Sequence, residues 1–326
     1  MPANLTPEYE KAERRYREAT TDEDRLEALR EMLRVIPKHK GTDRMQGDIK
    51  RRISQLRKAA AKRPAKRGPD VFHVPRGGAG QVVLIGPPNT GKSSIVAATS
   101  KAPVKVAEYP FSTPLPVPGM AEYEDVQVQI VDTPPVTAEH MPPGLMGTIR
   151  LADIVAVVVD CSADALGQAE ATLSLLVGRG VSLLSVPLNE LPEDDSGVKC
   201  GLVIANKADA CGSEDIEALR ELYAGTIEVL SVSSATGEGI TEMLDRSWRM
   251  LAMVRVYSKE RGRPADMNQP FTLRIGSTIE DLARDIHREL PDKMKYARIW
   301  GEGRFDGQQV HRTEILKDRD IVEIHE

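Results

Sequence analysis

Apolar residues recur in two rhythms along this chain. Near the start they fall three and four apart: Leu26, Leu29, Leu33 and Ile36 form one series, and Met45, Ile49, Ile53 and Leu56 another. That spacing puts side chains on one face of an α-helix. Helices are therefore expected over about 7–18, 22–35 and 42–62, with Thr6 or Thr20-Thr21 as caps and Pro37 as the stop of the second. From position 81 the rhythm changes to short unbroken apolar runs at 81–85, 126–131, 153–159, 200–205 and 227–231, separated by helix-length segments. This alternation predicts a mainly parallel α/β sheet with helices on both faces. After 251 the order becomes strand (254–257), strand (271–275), helix (277–290), strand (296–300) and strand (321–324), a small α+β module. The expected domains are thus 1–68, a basic helical hairpin, then 69–250 and 251–326. Residues 63–69 and 76–80 read as linkers, and Val71-Phe72-His73-Val74 between them as a short edge strand. Trp248 and Trp300 fall in helix and strand patterns and read as core.

Composition narrows the class. A chain of 326 residues, 40% apolar, is long enough for two or three domains with proper cores. No run approaches the roughly 18 consecutive apolar residues of a membrane helix, and the first residues lack a signal-peptide core, so no membrane partner and a cytoplasmic location are expected. Cys161, Cys200 and Cys211 show no CxxC spacing and read as buried thiols. The six histidines show neither metal spacing nor a triad order.

The net charge of −5 hides an asymmetry. Residues 1–68 carry 19 Lys and Arg against 11 Asp and Glu, and between 38 and 67 twelve basic residues face only Asp43 and Asp48. Such a run contacts nucleic-acid phosphates or forms a solvated helix face, and charge alone leaves both open.

The chemistry is concentrated in three segments. Gly86-Pro87-Pro88-Asn89-Thr90-Gly91-Lys92-Ser93, followed by Ser94 at the start of a helix, fits the phosphate-loop pattern. Its glycines let backbone N–H groups turn inward to phosphates, Lys92 reaches the β and γ oxygens, and the Ser93 hydroxyl is placed to hold Mg²⁺. Asn206-Lys207-Ala208-Asp209 follows an apolar strand. A carboxylate at Asp209 accepts from both N1–H and the exocyclic amine of guanine; adenine offers neither, so the ligand expected is GTP or GDP. Ser234-Ala235-Thr236, after the strand at 227–231, reads as the loop that backs the base. Asp132, ending the strand at 126–131, falls with these segments at the carboxyl edge of the sheet, where ligands of such folds bind.

The chain resembles the Obg/DRG-type (developmentally regulated GTP-binding) GTPases with a C-terminal TGS domain. The likeness rests on the GPPNTGKSS loop, Tyr109-Pro110-Phe111-Ser112-Thr113 with Pro118-Gly119, the NKAD segment, and Lys38-His39-Lys40-Gly41-Thr42-Asp43 in the basic hairpin. It continues in Arg255-Val256-Tyr257-Ser258-Lys259, in the run from Lys295 through Trp300 to Gly301, and in Leu316 to Val322. The resemblance implies a P-loop GTPase sheet and a β-grasp module. It also implies that Thr113, with Ser112 as the fallback, meets Mg²⁺ and the γ-phosphate, and that Asp132 holds Mg²⁺ through water. Ribosome or RNA association through 38–67 and the TGS module follows from it too.

Two residues depart from the family pattern. Where members read Asp-x-Pro-Gly, this chain has Asp132-Thr133-Pro134-Pro135, and proline has no N–H to offer a γ-phosphate. Val136 stands where many G proteins carry a water-positioning glutamine. Asn89 matches the loop asparagine through which some members bind K⁺, so K⁺ joins Mg²⁺ among the expected cofactors, with Lys92, Thr113 and Asn89 as the catalytic set. Two functions stay open in the sequence: a slow GTP-hydrolysing, RNA- or ribosome-associated switch, and a GTP-binding scaffold with little hydrolysis. Completion of the site by a partner protein or a second copy is open as well.

Overall fold

The computed structural model describes residues 7–18, 22–36, 42–62, 71–100, 115–137, 140–193 and 197–326. It forms two compact units, 1–70 and 71–326. The caps Thr6 and Thr20-Thr21, the stop at Pro37, residues 38–41 and the 63–69 linker lie outside the described residues.

In the first unit, α1 (Pro7–Glu18), α2 (Asp22–Val35) and α3 (Asp43–Lys62) pack around Tyr9, Ala12, Leu29, Met32, Ile36 and Ile49. Leu29, Met32 and Ile36 share one face of α2 and its end, as the helical spacing requires. Side chains of α3 beyond 54, Leu56 included, are outside the description.

The second unit holds two sheets. Its larger sheet is built from β1 (Gln81–Ile85), β2 (Val117–Tyr123), β3 (Val126–Asp132), β4 (Ile154–Asp160), β5 (Ser182–Leu184), β6 (Val198–Asn206) and β7 (Glu228–Ser231). The order is β2-β3-β1-β4-β6-β5 with β7 also paired to β6, parallel except for the antiparallel β2. Continuous apolar strands are needed because both faces are covered. On one face Val83, Ile85, Val155 and Val157 meet α5 (Leu145–Leu151), α6 (Ala165–Val177) and α7 (Ser213–Leu222). On the other, Val82, Leu84, Ala156 and Val158 meet α4 (Lys92–Thr99) and α8 (Ile240–Leu251).

β2 is absent from the apolar pattern because Pro118 and Gly119 read as a turn. It forms by pairing along its whole length with β3, and Gly119 is required there: a Cβ would stand 2.6 Å from Val96 of α4. Residues 71–74 make no strand. The Phe72 carbonyl accepts from the Thr148 hydroxyl and the Val74 carbonyl from the Gln81 side chain, so side chains take the place of a ladder.

The smaller sheet joins β8 (Met253–Ser258), β9 (Phe271–Arg274), β10 (Tyr296–Trp300), β11 (Gln308–Val310) and β12 (Asp320–His325) in the order β11-β10-β12-β8-β9. The helix expected over 277–290 is two pieces, α9 (Ile279–Ile286) and α10 (Leu290–Lys293). A capping box of Thr278 and Asp281 starts α9, whereas Pro291 cannot donate an intrahelical bond and restarts the chain at the head of α10. Trp248 is core as expected. Trp300 is only half-buried, on the outer face of β10 beneath the Lys259 ammonium. Cys161 and Cys200 are buried, Cys211 is partly so, and all three are free thiols. No helix among the described residues is long and apolar enough to cross a membrane.

Candidate nucleotide site

The site is assembled at the carboxyl edge of the larger sheet. β1 is followed by Gly86, whose φ of 152° and closeness to the Val158 carbonyl, 2.3 Å from where a Cβ would lie, exclude any side chain. Pro87, Pro88, Asn89 and Thr90 carry the loop round to Gly91, which opens α4 without a side-chain cap. The helix therefore starts with the amides of Lys92, Ser93 and Ser94 ahead of the first intrahelical bond, Ile95 N–H to the Gly91 carbonyl. Asn89 is exposed at the loop tip with φ 64°.

Lys92 folds back over the loop, donating to the carbonyls of Gly86 (3.0 Å) and Pro87 (2.7 Å). Burial pushes its ammonium down to about 8, with the Asp132 carboxylate drawing it partly back up. A cation so desolvated gains strongly from an incoming phosphate. The Ser93 hydroxyl donates to Asp132 Oδ2 at 2.5 Å, and Asp132 is buried at the end of β3. Two hard oxygens on adjoining elements fit Mg²⁺.

The residues after Asp132 spend their polar groups on the protein itself. Thr133 donates its hydroxyl to the Leu84 carbonyl, and Pro135 is buried. The Val136 amide donates to the Gly86 carbonyl at 3.0 Å while its side chain sits in the core with Ile85 and Leu145. The amide next to Pro135 is thus already committed, and Val136 presents no group to a γ-phosphate.

Asn206 ends β6 fully buried. Its amide donates to the Thr90 carbonyl at 2.8 Å and its side-chain oxygen accepts from the Ser234 N–H at 3.1 Å. Gly91 must be glycine here, since a Cβ would lie 2.1 Å from Asn206 Nδ2. Lys207, in the left-handed region at φ 61°, pairs with Asp160 at the end of β4. Burial works against the Asp160 charge, but the Lys207 and Ser162 contacts outweigh it and hold the carboxyl below its ordinary range. Exposed Asp209 accepts from the Ser233 hydroxyl at 2.5 Å, and Ser233 also receives the Thr236 N–H, so Ser234, Ala235 and Thr236 wrap beside the same edge. Thr113, with 109–112, lies outside the described residues.

Asp160 and Ser233 escaped the sequence reading. Asp160 had a signal, as an acidic residue ending an apolar strand opposite Asn206 in register. Ser233 had none beyond its neighbourhood.

Residues 81–183 match the family described as "50S ribosome-binding GTPase", and residues 254–326 the family described as "TGS domain". "Developmentally-regulated G-protein 1" of Arabidopsis thaliana is 26% identical over 366 aligned positions, covering 92% of this chain and 90% of the relative. "Developmentally-regulated GTP-binding protein 2" of Mus musculus is 24% identical, covering 92% of this chain and 98% of its own. The Arabidopsis alignment has more positions than this chain has residues, so that relative carries segments with no counterpart here. A solved "GTP binding protein from Pyrococcus horikoshii OT3" superposes over 75% of this chain and 99% of its own, with TM-score 0.49 and 18% identity.

Proposed function

Because this chain belongs to the Obg/DRG-type GTPases that carry a C-terminal TGS domain, we propose that it hydrolyses GTP to GDP and phosphate as a slow switch associated with ribosome or RNA. The observation that carries the nucleotide reading is the Asn206 junction, where one buried amide ties the phosphate loop at Thr90 to the base loop at Ser234. Lys92 holds its charge against the β and γ oxygens, and Asp209 reads guanine. Ser93 and Asp132, with Thr113 by resemblance, would hold Mg²⁺, which neutralises charge on the phosphates when bound. A water oxygen attacks the γ-phosphorus and the bond to the β–γ bridging oxygen breaks.

Asn89 and K⁺ are proposed to supply part of the charge stabilisation that other G proteins draw from an arginine. The exposed, left-handed position of Asn89 at the loop tip supports this. Faster turnover in KCl than in NaCl, lost in Asn89→Ala, is the expected result; equal rates would remove K⁺ from the reading.

RNA or ribosome docking is supported by the basic segment 38–67. Single-turnover hydrolysis should rise with ribosomes or total RNA, and the rise should vanish without residues 1–68. The second reading, a GTP-binding scaffold, is favoured by the committed Val136 amide and its buried side chain. It becomes the better one if neither ribosomes nor RNA change the rate.

A further inference from the structure

The turn between β2 and β3 is built against local preference. Glu124, at its first central position, has φ 52°, where glycine is favoured. An outlier of this kind marks a position the surroundings insist on, and here the insistence comes from the C-terminal module. Glu124 receives both Arg255 of β8 and Arg319, the latter at 2.9 Å. Neighbouring Asp125 accepts from Arg255 at 3.1 Å and from the Tyr257 hydroxyl.

Arg255 is the centre of this knot. Its side chain is 5% exposed, it forms a two-pronged pair with Asp318 (3.1 and 2.6 Å), and its guanidinium lies 5.2 Å from the ring centre of Trp248 in α8. Trp248 packs in turn against Tyr123, the last residue of β2, whose hydroxyl donates to Asp245. The smaller sheet is therefore gripped by the tip of one hairpin.

The other end of that hairpin lies at the nucleotide site. Val117 pairs with Asp132, and β2 is an edge strand held on one side by β3. On its other flank it meets α4: Ser100 bridges to Ala121, and Gly119 lies against Val96 and Ser100. The helix that begins with Lys92 and Ser93 thus ends clasped to β2. Meanwhile Pro135 has no N–H and the Val136 N–H is spent on the Gly86 carbonyl, so neither offers a backbone donor to a γ-phosphate.

We propose that the β2–β3 hairpin carries the nucleotide state of the phosphate loop to the C-terminal module, through α4, β2 and the Glu124–Asp125 grip on Arg255. This rests on guanine-nucleotide binding at the site and adds the route by which the module senses it. Coupling of this kind is reciprocal, so loosening the grip changes the preference between nucleotides by the factor with which nucleotide changes the grip.

The test compares GDP with a non-hydrolysable GTP analogue in the full-length protein, the Glu124→Gln/Asp125→Asn double variant and Arg319→Ala. Amide exchange over 253–258 and 318–322 is expected to differ between the two nucleotides in the wild type, to become the same in the double variant and to differ less in Arg319→Ala. The ratio of the two affinities should shift about fivefold or more in the double variant. Identical exchange in both nucleotides in the wild type overturns the proposal, as does a difference that survives in the double variant or stays undiminished in Arg319→Ala. If the contacts act only as glue, melting falls equally in both nucleotides with the ratio unchanged, which also overturns it. Should the double variant fail to fold, Arg319→Ala, which removes one exposed partner, decides. Failure to bind either nucleotide would instead refute the functional reading itself.

Discussion

Asn206 donates to the backbone carbonyl of Thr90 at 2.8 Å, across 116 positions of sequence, and Gly91 beside it leaves no room for a Cβ. The residue that begins the segment proposed to read guanine is therefore a strut of the phosphate loop. Gly91→Ala should lose nucleotide binding in a fluorescent-nucleotide titration, because the clash and the left-handed φ of 87° act together. Asn206→Ala should cost about 1–3 kcal/mol of stability, the penalty of unpaired buried polar groups, seen as a lower denaturation midpoint.

Base choice is expected to follow the chemistry of residue 209. Asp209→Asn replaces an acceptor of two N–H groups by an amide that donates to a carbonyl, which xanthine carries at C2. Competition binding should show GTP weakened about 100-fold or more, the loss of two charge-assisted bonds, and XTP gained in its place.

Lys92 should make nucleotide binding depend on pH. With its ammonium lowered by burial to about 8, the unfolded chain holds one more proton between about 8 and the ordinary lysine value of about 10.4. The stability of the nucleotide-free protein should accordingly rise with pH across that window. Bound phosphate draws the ammonium back up, so binding at pH about 9 takes up a proton. Calorimetry in buffers of different ionisation enthalpy should detect this uptake, and Lys92→Met should abolish it.

The departure at Pro135 and Val136 can be tested by repair. Pro135→Gly restores the missing amide and should raise the preference for a GTP analogue over GDP about tenfold, the worth of one hydrogen bond to a charged group. It should also lower the melting temperature, since glycine loosens the unfolded chain. Val136→Gln should destabilise by about 1–3 kcal/mol without faster turnover, because that side chain occupies the apolar core rather than the water site.

Much of this site is legible in the chain because phosphate and guanine are bound by short loops following strands. Gly86, Gly91, Lys92, Ser93, Asp132, Asn206 and Asp209 each announce themselves through residue type and spacing, and the apolar runs before them locate the strand ends. What the pattern missed has a common cause. β2 reads as a turn until β3 supplies its ladder. Asp160 meets Lys207 across 47 positions, and Arg255 meets Asp125 across 130. No local rule encodes a partner so distant.

By itself, then, the sequence determined a guanine-nucleotide cleft and the order of its elements, since helical and strand periods and loop chemistry act over a few residues. Only the tertiary structure decided that Val136 is core with its amide spent, that Asn206 braces the loop, and that the hairpin tip holds the C-terminal module. Each depends on packing and long-range hydrogen bonds, which exist only once the sheets have closed around their cores.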